Sequence, residues 1–141
     1  MKTLNILLFV IIVIPLYSQE DSLKYSDFSC SCIKSLPNKT MPDSFKLGLK
    51  YPNPGAYYGY EYFSIAETSL VKFKVSDINP KIVTQTEFYL LLQGNYQLTW
   101  INLLKPIEDI KSGVYYLEMT VISPKNYKQV FKGDKRVLLV K

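Results

Sequence analysis

The clearest structural signal in the chain is Leu70-Val71-Lys72-Phe73-Lys74-Val75, in which apolar and charged residues alternate. Successive side chains of a β-strand point to opposite faces, so this pattern puts the valines and the phenylalanine on one face and the lysines on the other. Residues 95–100 and 114–121 alternate in the same way. These three stretches predict antiparallel strands, each with one face in a core.

Weaker strand candidates lie on either side of these three stretches, at residues 45–50, 61–65, 82–91, 127–131 and 135–140. Turn-forming residues separate the candidates, among them Ser112-Gly113, Ser123-Pro124 and Lys132-Gly133-Asp134. The helical candidate at residues 103–111 contains Pro106 and is predicted to be a loop. Residues 44–141 are therefore predicted to form an immunoglobulin-like antiparallel β-sandwich of about seven strands.

The first 18 residues have the layout of a secretory signal peptide. Lys2 gives a positively charged start, an apolar stretch covers residues 4–16, and Ser18 precedes a polar segment. This stretch is shorter than the about 20 apolar residues that a membrane-spanning helix needs. We therefore expect cleavage after Ser18 rather than a retained anchor, and no stable transmembrane span afterwards. The mature protein is then expected to be secreted or at the cell surface, via the periplasm, with residues 19–43 as an irregular linker.

The composition argues against catalysis. The 141 residues include no histidine, which excludes Ser-His-Asp and Cys-His catalysis and histidine-ligated zinc. No two carboxylates are spaced to face each other across a cleft, as glycoside hydrolysis requires. We predict a protein that is not an enzyme and needs no cofactor or metal. The formal net charge of +5 comes from lysines spread along the chain, so nucleic acid is not an expected partner.

Two cysteines, Cys30 and Cys32, lie in the predicted linker as Cys-Ser-Cys. Export favours oxidation. In an extended chain, however, their Cα atoms are about 6.6–7.2 Å apart, at the upper limit for a disulfide, so an internal bond needs a bent backbone. An intermolecular disulfide, an inert thiol pair and a redox role stay open.

The densest aromatic stretch contains Tyr57, Tyr58, Tyr60, Tyr62 and Phe63. Tyrosine is common on surfaces that bind sugars or proteins, because its ring offers contact area at low entropic cost. The favoured interpretation is that alternate members pack in the sandwich while the others lie at a strand edge. The four tyrosines are the candidate residues of a binding edge.

Five segments follow one another in a recognisable order: Tyr51-Pro52-Asn53-Pro54, then residues 69–77, 92–100, 112–117 and 132–141. In this order they resemble the C-terminal sorting domain of type IX secretion in the Bacteroidetes, the Por secretion system tail. The resemblance covers roughly residues 49–141 and implies an immunoglobulin-like sandwich that directs an exported protein across the outer membrane. Its implied partners are the outer-membrane secretion machinery and a sortase-like protease.

The resemblance also places the docking site in the last strand. The residues it implies are Lys135, Arg136, Val137, Leu138, Leu139, Val140 and Lys141. An exposed strand edge offers backbone groups with which a partner strand can pair. About 25 residues separate the predicted cleavage site from the domain, too few for an independently folded cargo. A short cysteine-containing cargo, a remnant gene and a free-standing periplasmic or surface module that binds a glycan or a protein stay open.

Overall fold

The computed structural model describes residues 31–37, 39–48, 55, 56 and 59–141. Within them ten strands and one short helix follow in chain order: β1 (Ile33–Ser35), β2 (Lys46–Leu47), β3 (Gly55–Ala56), β4 (Tyr60–Ile65), β5 (Ser69–Asp77), β6 (Ile82–Gln85), β7 (Tyr89–Leu91), β8 (Gly94–Thr99), α1 (Trp100–Leu104), β9 (Gly113–Ile122) and β10 (Gln129–Val140). The predicted signal peptide lies outside the described residues, as do Cys30, Tyr57 and Tyr58. No helix in the described part of the chain has the length and apolar character to span a bilayer.

The strands form two sheets. The four-stranded sheet has the order β1-β8-β4-β2, and the six-stranded sheet has the order β3-β10-β9-β5-β6, with β7 also pairing with β5. Among the described strands every pairing is antiparallel except that of β3 with β10. The predicted antiparallel β-sandwich is confirmed. It has more strands than predicted, because strands of two or three residues are too short to show an alternating pattern.

The three alternating stretches form the middle of the sandwich. Their inward-facing side chains on β5, β8 and β9 are buried as predicted: Val71, Phe73, Val75, Tyr96, Leu98, Tyr115, Leu117, Met119 and Val121. The ring of Phe63 joins the two sheets, since it stacks on Tyr96 in its own sheet at 5.4 Å and meets Phe73 of the other sheet edge-on at 4.9 Å. Such ring pairs stabilise the fold beyond the burial of their apolar surface, and their preferred geometries favour particular orientations of the two sheets.

Two tyrosines tie strands to the loops before them. The Tyr96 hydroxyl donates a hydrogen bond to the Leu92 carbonyl, and the Tyr115 hydroxyl donates one to the Lys111 carbonyl, both at 2.7 Å. A buried tyrosine bonded to backbone a few residues upstream is the tyrosine corner of immunoglobulin-like sandwiches. Burial raises the pKa of Tyr96 above its ordinary value, so its hydroxyl keeps the proton that it donates to the Leu92 carbonyl.

The C-terminal strand is longer than predicted. Lys132-Gly133-Asp134 was expected to be a turn between two strands, but β10 runs through it, with Gly133 opposite Met119 of β9. The prediction is wrong because the continuous ladder to β9 outweighs the turn preference of glycine and aspartate. The chain turns earlier, where the Ser123 amide donates to the Lys128 carbonyl at 2.9 Å and Tyr127 has φ +54°.

The predicted boundary at Ser44 is too late. Strand β1 lies within the predicted linker and pairs with β8, with Ile33 opposite Leu98. Cys32, just before β1, is 2% exposed and belongs to the core. A strand of three residues has too few positions for periodicity to be visible in the sequence.

Two other segments differ from the prediction. Residues 82–91 form two strands rather than one, both paired with β5. Between the two strands Thr86 contacts Phe73 twice: its hydroxyl accepts a hydrogen bond from the Phe73 amide, and its own amide donates one to the Phe73 carbonyl at 2.8 Å. Trp100–Leu104 is a helix where part of a loop was predicted. The helix ends before Pro106, consistent with the inability of proline to continue it.

Candidate interaction surfaces

The predicted docking residues of β10 divide between two faces of the sheet. Val137 and Leu139 are each 1% exposed and belong to the core. Leu138 and Val140 point outward and are 46% and 50% exposed. The resemblance implied one continuous docking segment, but alternation along the strand leaves only part of its side chains accessible to a partner.

Lys135 also points inward. Its Nζ lies 2.5 Å from Oε2 of Glu61, which is on β4 of the opposite sheet. The two side chains are 15% and 9% exposed. This ion pair joins the two sheets. The Lys135 ammonium therefore already has a carboxylate partner within the protein.

The accessible docking residues form a small patch on the outside of the six-stranded sheet. Arg136 lies opposite Tyr116 of β9, and Leu138 lies opposite Val114. The backbone amide of Lys141 donates to the Ser112 hydroxyl at 2.9 Å, which ties the last residue to the start of β9. This patch, called here the terminal patch, consists of Arg136, Leu138, Val140, Val114 and Tyr116.

The backbone edge of β10 is partly covered. One side pairs with β9 from Gln129 to Leu139. On the other side β3 runs parallel and pairs with Leu139 and Val140. Residues 129–138 have no second strand partner among the described residues. At Leu139, therefore, β10 is paired on both sides, with Gly113 of β9 and with Gly55 of β3.

A charged row crosses the outer face of the same sheet. Glu118 of β9 contacts Lys74 of β5 at 3.1 Å through Oε1 and Lys132 of β10 at 3.4 Å through Oε2. Burial by itself would raise the pKa of Glu118, but the hydrogen bond and charge of Lys74, together with Lys132, outweigh it and lower the pKa below its ordinary value. This row links three neighbouring strands beside the terminal patch.

Tyr60 and Tyr62 lie on the outer face of the four-stranded sheet. They are 49% and 41% exposed, and their rings meet edge-on with centroids 5.3 Å apart. A hydrogen bond with Tyr60 raises the pKa of Tyr62, so its hydroxyl is neutral at ordinary pH. Strand β4 pairs with β8 from Tyr60 to Ile65 and with β2 at Phe63 and Ser64, and these two tyrosines project from the outer face of that sheet.

Strand pairing surrounds the two tyrosines with polar side chains. Tyr60 lies opposite Thr99, and Tyr62 lies opposite Gln97, which in turn is opposite Lys34 of β1. In the next row the Ser64 hydroxyl donates to Oδ1 of Asn95 at 2.8 Å. We call this surface the tyrosine face; its residues are Tyr60, Tyr62, Ser64, Asn95, Gln97, Thr99, Lys34 and Lys46.

The tyrosine face contains a shallow depression of about 270 Å³, lined in part by Lys46, Tyr62, Ser64 and Asn95. Sequence reasoning found the tyrosines but missed their neighbours. Alternation along residues 95–100 does place Asn95 and Gln97 outward. The pairing of β8 with β1 and β4 is what brings them beside the tyrosines, and pairing partners were not visible in the sequence.

Cys32 is engaged in a disulfide bond, and the carbonyl of Cys32 accepts a hydrogen bond from the Thr99 amide at 2.7 Å. Within the described residues no group of three or more Cys, Asp and Glu side chains is placed to hold a metal ion. The cysteine segment is thus joined to the sandwich by β1 and by a backbone bond to the end of β8.

No protein-family model matches the chain, and no curated protein matches it. Among solved structures the chain is similar to one described as murine CRIg, from mouse, with 14% identity and a TM-score of 0.31. The similarity covers 68% of this chain and 94% of that chain. So distant a similarity does not extend to function.

Proposed function

We propose that this chain is an exported, non-catalytic protein whose C-terminal sandwich acts as a type IX sorting and surface-attachment signal. The order of the five sequence segments supports the proposal. The structural observation that carries it is the position of β10, which lies in the six-stranded sheet and presents Arg136, Leu138 and Val140 outward.

Docking would use two features of β10. A partner strand would pair with the backbone of β10, where hydrogen bonds supply affinity with little dependence on sequence. The terminal patch would contribute specificity through three aliphatic side chains, one tyrosine ring and one guanidinium. Val137, Leu139 and Lys135 would act indirectly, by holding β10 in the sandwich.

The test places a reporter between Ser18 and residue 19 of the full chain, in a host that has this secretion system. We expect the reporter to reach the cell surface, and the double variant Arg136→Glu/Leu138→Asp to keep it in the periplasm. The matched control is Tyr60→Ala/Tyr62→Ala, which changes two exposed residues of the opposite sheet. Periplasmic retention of the unmodified fusion with its sandwich folded would overturn the proposal.

A second candidate function is that of a free-standing binding module at the cell surface. The observation in its favour is that Tyr60 and Tyr62 contact each other on an open face instead of packing in the core. Deletion of residues 135–141 does not separate the two functions, because Val137 and Leu139 are core residues. The surface variants do separate them, since each changes one face and leaves the other intact.

A further inference from the structure

We propose that the tyrosine face binds an acidic oligosaccharide, a chain of sugars that carry carboxylate groups. This inference rests on the second candidate function and specifies its ligand class. It follows from three properties of the face: exposed aromatic rings, hydrogen-bonding side chains beside them, and positive charge at both sides of the sheet.

The rings provide the apolar part of the site. Sugars present C–H groups on the faces of their rings, and these pack on aromatic side chains whose polar ends stay in water. Tyr60 and Tyr62 stand on one strand two residues apart, with their ring planes at 77°. Each ring therefore offers a surface in a different direction, which suits a chain with successive, rotated sugar units better than a single flat ligand.

The residues beside the rings suit hydroxyl groups. Gln97 lies directly opposite Tyr62, and Thr99 lies directly opposite Tyr60. Amide and hydroxyl side chains both donate and accept hydrogen bonds, as sugar hydroxyls do. The strand rise puts these two rows about 7 Å apart. A ligand that contacts both tyrosines would thus meet a polar side chain next to each one.

The charge of the face indicates an acidic ligand. Lys34 is on β1 and Lys46 is on β2, the two outermost strands of the sheet, which three strand spacings place about 14 Å apart. Lys34 shares a row with Tyr62, and Lys46 lines the depression next to Tyr62. None of the eight residues of the face is acidic. The carboxylate on β4, Glu61, points into the sandwich and pairs with Lys135.

The test titrates the full mature chain with tetragalacturonate, using neutral cellotetraose and a tetraglutamate peptide as comparison ligands. We expect binding of tetragalacturonate that weakens as salt is added, and at least tenfold weaker binding by Tyr62→Ala. The double variant Lys34→Gln/Lys46→Gln should lose several-fold affinity for tetragalacturonate and none for a neutral sugar. Matched controls on the opposite sheet, Tyr116→Ala and Lys72→Gln, should bind as the unmodified chain does.

Amide chemical shifts of the unmodified chain locate the ligand without any variant. We expect perturbations on β4 and β8, and perturbations confined to the six-stranded sheet would overturn the inference. Equal binding of cellotetraose, unaffected by the lysine substitutions, would overturn the acidic specificity and leave the binding-module function standing. Equal binding of the peptide with no effect of Tyr62→Ala would exclude a saccharide site. Binding of none of the three ligands would overturn the inference, and the second candidate function would then need a different ligand class.

Discussion

Tyr115 and Tyr116 are neighbours in sequence with opposite surroundings. Tyr115 is 9% exposed and its hydroxyl donates a hydrogen bond to the Lys111 carbonyl, whereas Tyr116 is 36% exposed on the terminal patch. The sequence pattern separates the two faces, but only the fold places a carbonyl within reach of the Tyr115 hydroxyl. The adjacent pair therefore offers a matched test of what the tyrosine corner contributes.

We expect Tyr115→Phe to lower the free energy of unfolding by about 1 kcal/mol, because it removes one buried hydrogen bond and leaves the carbonyl without it. Tyr116→Phe is expected to stay within about 0.5 kcal/mol of the unmodified chain. Urea unfolding of the two variants measures both values. Equal effects of the two substitutions would show that the corner bond contributes nothing to stability.

Glu61 and Lys135 form an ion pair between the two sheets. Both are charged and largely enclosed between the sheets. Removing one member of a buried ion pair leaves a charge that neither water nor a partner compensates. We expect Lys135→Met to destabilise the fold by about 3 kcal/mol, and the double variant Glu61→Leu/Lys135→Met to regain most of that loss.

Unfolding in urea of Lys135→Met, Glu61→Leu and the double variant measures this cycle. Additive effects of the two substitutions would mean that the side chains do not interact. The same cycle bears on sorting, because export by the double variant would show that the Lys135 charge is not read by the secretion machinery.

The three strands β5, β9 and β10 are held together by backbone pairing and by the charges around Glu118. A carboxyl whose pKa is lower in the folded state stabilises the protein above its ordinary pKa, here 4.5. That contribution is lost as the pH falls through the lower, folded value. The row thus stabilises the terminal strand at neutral pH and weakens in acid.

We expect the unmodified chain to lose stability below about pH 4.5 more steeply than Glu118→Gln does. The check is urea unfolding at a series of pH values between neutral and strongly acidic, with Glu108→Gln in the loop before β9 as a control. Parallel pH profiles for the unmodified chain and Glu118→Gln would contradict the role given to this row.

For the molecule as a whole, β1 matters because it covers the edge of β8. Without β1 the backbone groups of β8 would be open on that side, and an open edge invites pairing with other chains. The buried Cys32 and the pairing of Ile33 with Leu98 would be lost as well. The folding unit therefore includes part of what the sequence predicted to be a linker.

We expect a chain of residues 44–141 to be less stable than one of residues 19–141 and more prone to self-association. Urea unfolding and size-exclusion chromatography of the two chains measure these differences. Identical unfolding midpoints and a monomeric short chain would show that β1 is dispensable.

The candidate surfaces were predictable only in part. The burial of every second residue from 70 to 75 and from 114 to 121 follows from local periodicity. The outward position of Tyr60 and Tyr62 does not, because the glutamate between them, Glu61, is the residue that faces inward. Local periodicity also does not predict which side chains become neighbours across strands. Lys34 and Gln97 are distant in sequence and become neighbours through strand register, and Lys135 meets Glu61 because two strands of different sheets face each other.

Local alternation in the sequence determined that this chain folds as a β-sandwich and which side chains of its long strands form the core, because side-chain direction along a strand depends only on backbone geometry. Tertiary structure decided the rest: that β10 continues through Gly133, that β1 belongs to the domain, and that Lys135 is enclosed with Glu61. Each of these depends on free energy from contacts between residues far apart in the chain, and no local pattern records such contacts.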